Sequence, residues 1–213
     1  MATSCCPAWS VMAKKLFPDF KPYISMALTP MVLTGRLIKK QKPDAKVVFI
    51  GPCAAKKLEA SRRSVRSDVD FVLTFEEIMG MFEAKDVRFE EVEPGEPLTG
   101  ATSAGRGFAV SGGVAEAVVE CIKKKYPDRE VLVDSAQGLR ECRQMLMLAK
   151  AGKRNGYLME GMGCPGGCVA GAGTLQPVLK STGVVNKYKK EAKKKNSLDS
   201  DFTEHLDELV EKE

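Results

Sequence analysis

Histidine is nearly absent from this sequence: the single imidazole, His205, lies close to the C-terminus. Its scarcity weighs against a cysteine nucleophile activated by an imidazole and against a zinc site of mixed Cys and His ligands. Paired Cys-x-x-Cys knuckles are missing too, as is the ferredoxin spacing with a cysteine at every third residue. No run approaches the roughly 20 consecutive apolar residues of a membrane span. The first residues, Met-Ala-Thr-Ser, lack the basic-then-apolar order of an export signal. A soluble, cytoplasmic protein with no membrane span is expected.

Aromatic residues are few, with one Trp and four Tyr, so no stacking platform accompanies the basic residues. The net charge of +5 is concentrated in Lys187, Lys189, Lys190, Lys193, Lys194 and Lys195, a run that reads as a solvated face or tail. Nucleic acid is not an expected partner.

What the chain does have is seven cysteines in 213 residues. An odd count in a reducing compartment argues against a disulfide framework and for metal or redox chemistry. Cys121 and Cys142 fall inside helical patterns and read as small core residues. The other five lie in three clusters: Thr3-Ser4-Cys5-Cys6-Pro7-Ala8-Trp9, Gly51-Pro52-Cys53-Ala54-Ala55-Lys56-Lys57, and Glu160-Gly161-Met162-Gly163-Cys164-Pro165-Gly166-Gly167-Cys168. Each is flanked by Gly, Pro or another Cys, backbone that can wrap an inorganic centre and turn amides toward sulfur.

Periodicity predicts helices over Trp9–Phe20, Met31–Lys40, Phe75–Glu83, Gly112–Lys125 and Leu139–Ala151. Strands are predicted over Val47–Ile50 and Val69–Thr74, both read as buried, and over Glu130–Asp134 and Asn155–Glu160. Glu90 to Gly100 reads as a loop. The alternation implies an α/β fold of two small lobes with mainly parallel sheets. Cys53 and Cys164 then follow the C-terminal ends of strands, where open α/β sheets place their ligands. A domain over 1–180 would be followed by a lysine-rich segment, 181–213, with Phe202 to Val210 compatible with a short helix.

These three motifs resemble the signatures of the iron-only ([FeFe]) hydrogenase catalytic domain, TSCCPxW, PCxxKK and ExMxCxxGCxxG, in the same order from Thr3 to about Pro177. The resemblance implies a 4Fe-4S cubane held by Cys6, Cys53, Cys164 and Cys168 at the interface of the lobes. Cys168 would also bridge to a two-iron unit carrying carbon monoxide, cyanide and a dithiolate, together the H-cluster. It further implies that Cys5 passes protons to the dithiolate amine, with Ser25 further along the proton path. Lys56 would donate to a cyanide, and Thr29, Pro30, Pro52, Phe108 and Met162 would line the pocket.

The implied activity is reversible interconversion of protons, electrons and dihydrogen. A dihydrogen sensor, or a cluster scaffold or electron relay related to hydrogenase-like assembly proteins, is the alternative. Implied partners are a redox carrier such as ferredoxin and cluster maturation proteins. Family members usually carry sequence before the first motif, so the expectations include a fragment, a reduced member and a site completed by another polypeptide. Gly51 stands where many catalytic members have Met, Met31 where Gln is frequent, and Gly171–Pro177 departs from the usual GGGQP ending.

Overall fold

The structure is a computed structural model and describes residues 1–96 and 99–205. Local chemistry accounts for the helix starts. Helix α1 (Pro7–Leu16) begins with Pro7 at its first position, where the missing amide costs nothing, and α2 (Pro30–Gln41) repeats the device behind the Thr29 N-cap. The chain continues through β1 (Val48–Ile50), α3 (Ala55–Ala60) and β2 (Phe71–Leu73) into α4 (Phe75–Ala84), which opens with a reciprocal cap between Thr74 and Glu77. The second half comprises α5 (Ser103–Arg106), α6 (Gly113–Lys125), β3 (Val133–Gln137), α7 (Leu139–Lys150), β4 (Leu158–Met162) and α8 (Val178–Lys190).

Two small parallel sheets result, one pairing β1 with β2 and the other β3 with β4. The first residues extend the second sheet. Ala2 forms parallel bridges to both Met159 and Ile24, with Thr3 N–H donating to Met159 O at 2.9 Å and Ser25 N–H donating to Ala2 O at 2.8 Å. Cys5 and Cys6 are thereby delivered to the same sheet end as Cys164.

Each sheet has its own core. Trp9, Ala13, Cys142, Leu146 and Met159 pack between α1, α7 and the β3–β4 sheet, and Met31, Val32, Val69 and Val72 pack between α2 and β1–β2. The α/β architecture with parallel pairing follows the expectation. Among the described residues no helix is long and apolar enough to cross a membrane.

Several boundaries differ, each for a physical reason. The first helix stops at Leu16, because Pro18 cannot donate to the helical ladder, and Pro18–Tyr23 forms a 3-10 turn instead of a continuation to Phe20. Strands β3 and β4 sit two to three residues later than predicted: the turn at Pro127 keeps the chain irregular up to Leu132, and a turn over 151–156, with Gly152 and Gly156 at positive φ, precedes β4. The β1–β2 pair is not buried on both faces: Phe49 and Val72 face the core, while Val48 is 45% and Ile50 47% exposed. Residue 180 falls inside α8, and the lysine-rich segment is helical as far as Lys190. Its lysines are surface groups in pairs such as Lys189 with Glu116 and Lys194 with Asp201. Asp201–His205 is a 3-10 turn, and 206–210 of the expected terminal helix lie outside the described residues.

Candidate metal centre

The three cysteine motifs meet. Cys6 is the N-cap of α1 in extended conformation, Cys53 lies on the turn between β1 and α3, and Cys164 and Cys168 flank the Pro-Gly-Gly turn after β4. All four line one small cavity of about 90 Å³, whose wall includes Met162 and Gly163. The Gly163 N–H donates to Cys6 Sγ at 3.3 Å, one amide already aimed at a sulfur. All seven thiols are free.

Two glycines make this convergence possible. A methyl group on Gly161 would lie 2.2 Å from Trp9 Cδ2, so the indole of the first motif can rest only on a residue without Cβ in the third. Trp9 is fully buried and its Nε1–H donates to Thr3 O at 3.0 Å, which fixes the strand leading into Cys5-Cys6. Gly167, immediately before Cys168, has a φ of +91° and passes 2.5 Å, measured from an added Cβ, from the Ser111 amide nitrogen. Any side chain there meets both strain and backbone.

A second cavity of about 310 Å³ adjoins the first, and Cys6, Met162 and Cys168 belong to both. It is lined by Cys5, Lys56, Pro30, Pro52 and Phe108 among others, and also by Met31 and Gly51, so two of the departures from the family pattern fall here. A third cavity, about 390 Å³, shares Cys5, Pro30 and Phe108 with the second and holds Ser25. Ser25 Oγ accepts from Ala27 N–H at 3.1 Å. Thr29 is buried at the start of α2, where its Oγ1 accepts from Val32 N–H at 3.5 Å and donates to Glu59 Oε2 at 3.2 Å. Its neighbour Pro30 lines the second cavity.

Burial favours the protonated form of Cys5, Cys53, Cys164 and Cys168. Burial pushes Cys168 up to about 12, reinforced by neighbouring Cys53, Cys6 and Cys5, and burial likewise raises Cys53 and Cys164. Cys5 rises to about 11, through burial first and then through its electrostatic coupling to Glu160 and Cys6. Thiolates crowded in a dry site repel one another, and a cationic centre removes that penalty while displacing the protons.

The donor set fits a cluster better than a single ion. Among the described residues no three Cys, His, Asp or Glu side chains come together tightly enough to hold one ion. A closed zinc site needs four donors within about 2.3 Å of one atom. Here four thiols border a void, the arrangement a cluster requires, because each of its irons takes a different thiolate.

Two buried carboxylates had no assigned role in the sequence. Glu160, fully buried, accepts from Gly112 N–H at 2.7 Å and Ala115 N–H at 2.6 Å and so caps α6; burial raises its pKa. Glu59 receives the Lys56 ammonium at 2.6 Å. The i,i+3 spacing of Lys56 and Glu59 was a sequence signal for that pair, though not for its burial. Cys142 is a buried core thiol as predicted, and Cys121 is half-buried beside Asn196.

Comparison with known proteins agrees with this geometry. Residues 1–172 match the family described as iron only hydrogenase large subunit, C-terminal domain. The chain is 32% identical over 218 residues to the periplasmic [Fe] hydrogenase large subunit of Nitratidesulfovibrio vulgaris, covering 83% of this chain and 51% of that protein. It is also 30% identical over 226 residues to the cytosolic Fe-S cluster assembly factor narfl of Danio rerio, covering 83% and 54%. It thus spans about half the length of these relatives. The fold matches a variant of the [FeFe]-hydrogenase HydA1 from Chlamydomonas reinhardtii with a TM-score of 0.73 at 20% identity, over 99% of this chain and 71% of that one. The chain belongs to the iron-only hydrogenase family, and the part of that family it represents is the C-terminal domain of the large subunit.

Proposed function

We propose that this chain is the catalytic part of an iron-only hydrogenase and interconverts protons, electrons and dihydrogen. One observation carries the reading: the small cavity bordered by the four thiols shares Cys6 and Cys168 with a larger cavity that holds Cys5 and Lys56. A site for a cubane alone has no use for that second chamber with its thiol and ammonium.

In this reading Cys6, Cys53, Cys164 and Cys168 hold the 4Fe-4S cluster as thiolates, and Cys168 is placed to reach both chambers. When bound, the cubane-linked two-iron H-cluster supplies the redox and dihydrogen chemistry, and the protein contributes placement and electrostatics. Cys5 holds a proton at Sγ, consistent with its raised pKa, and exchanges it with the centre on one side and with the Ser25 cavity on the other. Lys56 presents a charged donor to an anionic ligand. Pro30, Pro52, Phe108 and Met162 keep the chamber apolar, which strengthens each of these polar contacts.

The exposed apolar side of β1–β2 runs into this chamber through Ile50, and parallel sheets are ordinarily covered on both faces. Further polypeptide, another subunit or another part of the same protein, closes the site in this account. Cluster maturation proteins load it, and a cytoplasmic carrier such as ferredoxin exchanges electrons with the cubane. The second reading, a sensor, cluster scaffold or electron relay without turnover, is favoured by the similarity to assembly factors.

The test is dihydrogen evolution from a reduced viologen by anaerobically matured protein, wild type against Cys5→Ala. The proposal expects turnover that falls by roughly a hundredfold or more in the variant while bound iron is unchanged, the scale of losing a positioned proton donor. Iron-loaded wild-type protein without turnover would favour the scaffold.

A further inference from the structure

Three buried polar side chains, one of which lines the larger cavity, form one connected unit. Lys56 is 8%, Glu59 5% and Thr29 6% exposed. Lys56 Nζ donates to Glu59 Oε2 at 2.6 Å and to Cys5 O at 3.4 Å, and the same Glu59 oxygen accepts from Thr29 Oγ1 at 3.2 Å. Three elements are tied together in this way: α3, the start of α2, and the backbone of the first cysteine motif.

An ammonium has three N–H donors and no acceptor. Two of those on Lys56 are directed at Glu59 and the Cys5 carbonyl, leaving one for the cavity that Lys56 lines. Without Glu59 the four-carbon stem would be free to rotate among its staggered conformers, and the remaining donor would have no fixed direction. Burial makes the pairing necessary as well, since an uncompensated charge in this position is costly.

We infer that Glu59 is a positioning residue, itself held by Thr29, that aims one N–H of Lys56 at an anionic ligand in the larger cavity. This rests on the proposed function only for the identity of the anion, a metal-bound cyanide; the aiming of Lys56 belongs to the protein alone. The neighbouring Lys57 provides the control. It shares α3 but pairs elsewhere, with Val72 O at 2.9 Å and Glu77 Oε1 at 2.9 Å.

The first test uses unloaded protein and competitive acetylation read by mass spectrometry, comparing Lys56 with Lys57. Glu59→Gln should raise the Lys56:Lys57 ratio by roughly tenfold, the effect of losing one charge-assisted hydrogen bond, and Thr29→Val should raise it less. Thr29→Val removes the contact to Glu59 together with the α2 cap but leaves the Lys56–Glu59 pair, and serves should the Glu59 variant not fold. An unchanged ratio overturns the inference. So does an equal rise at both lysines, which would make Glu59 a general support of α3.

The second test uses loaded protein and infrared spectroscopy. Glu59→Gln should shift one cyanide stretch and leave the carbonyl stretches in place, whereas loosening of the whole site would move them together and contradict selective aiming. Cyanide bands absent from the wild type would overturn the identity of the anion and the proposed function, and the acetylation ratio would still decide the role of Glu59.

Discussion

The indole of Trp9 occupies the space that a side chain on Gly161 would need: a methyl there would stand 2.2 Å from Cδ2 and 2.5 Å from Cε2. The first and third cysteine motifs are therefore joined by packing, independently of any metal. Gly161→Ala should destabilise the protein by about 1–3 kcal/mol, the usual cost of overpacking a filled core, and lower iron loading through displacement of α1. Denaturant unfolding of unloaded protein measures the first effect and iron analysis the second; an unchanged midpoint would contradict the packing account.

Cysteines in this chain should divide cleanly by role. Cys168→Ala removes a thiol common to both cavities and should abolish iron-sulfur absorbance. Cys142→Ala removes a core thiol whose Sγ lies 3.4 Å from Met162 O and 3.6 Å from Ala136 O, and should retain iron while unfolding more easily. Iron and sulfide analysis of both variants after matured expression checks this. Iron lost from Cys142→Ala but kept in Cys168→Ala would reverse the assignment.

How far the sequence disclosed this arrangement follows from what sequence patterns encode. The cysteine motifs stood out because Gly and Pro interrupted the apolar periodicity around them, and strands such as β4 announced where Cys164 would fall. Helix α3 escaped because its six residues are too few to display a period, although every one is a good helix former. Helix α8 escaped because none of its residues is buried, so it carries no apolar stripe. The pairing of Ala2 with Met159 depends on residues far apart in the chain, and local pattern says nothing about it. Burial is equally non-local: the resemblance aims Lys56 at a cyanide, but no local pattern shows that Glu59 is buried with it.

Asp70 should make part of the acid stability of the β1–β2 lobe. Its carboxylate bonds first to Lys39, at 2.7 Å, and then to Val47 N–H at 2.8 Å, which pulls its pKa from 3.8 down to about 2. A depressed carboxyl pKa stabilises the folded state above the unfolded value and loses that contribution as pH falls through the folded one. Asp70→Asn should therefore lower the melting temperature near neutrality, and the gap from wild type should close between about pH 4 and pH 2. A gap that stays constant over that interval would contradict the linkage.

The central claim is that the larger cavity beside Cys5 and Lys56 holds a two-iron centre joined to a cubane. Infrared spectroscopy of anaerobically matured protein tests it most directly, because metal-bound carbon monoxide and cyanide absorb where polypeptide does not. The account predicts intrinsic carbonyl and cyanide stretches in protein that also contains a cubane; a cubane present without those bands, after maturation that loads a known hydrogenase in parallel, would contradict it.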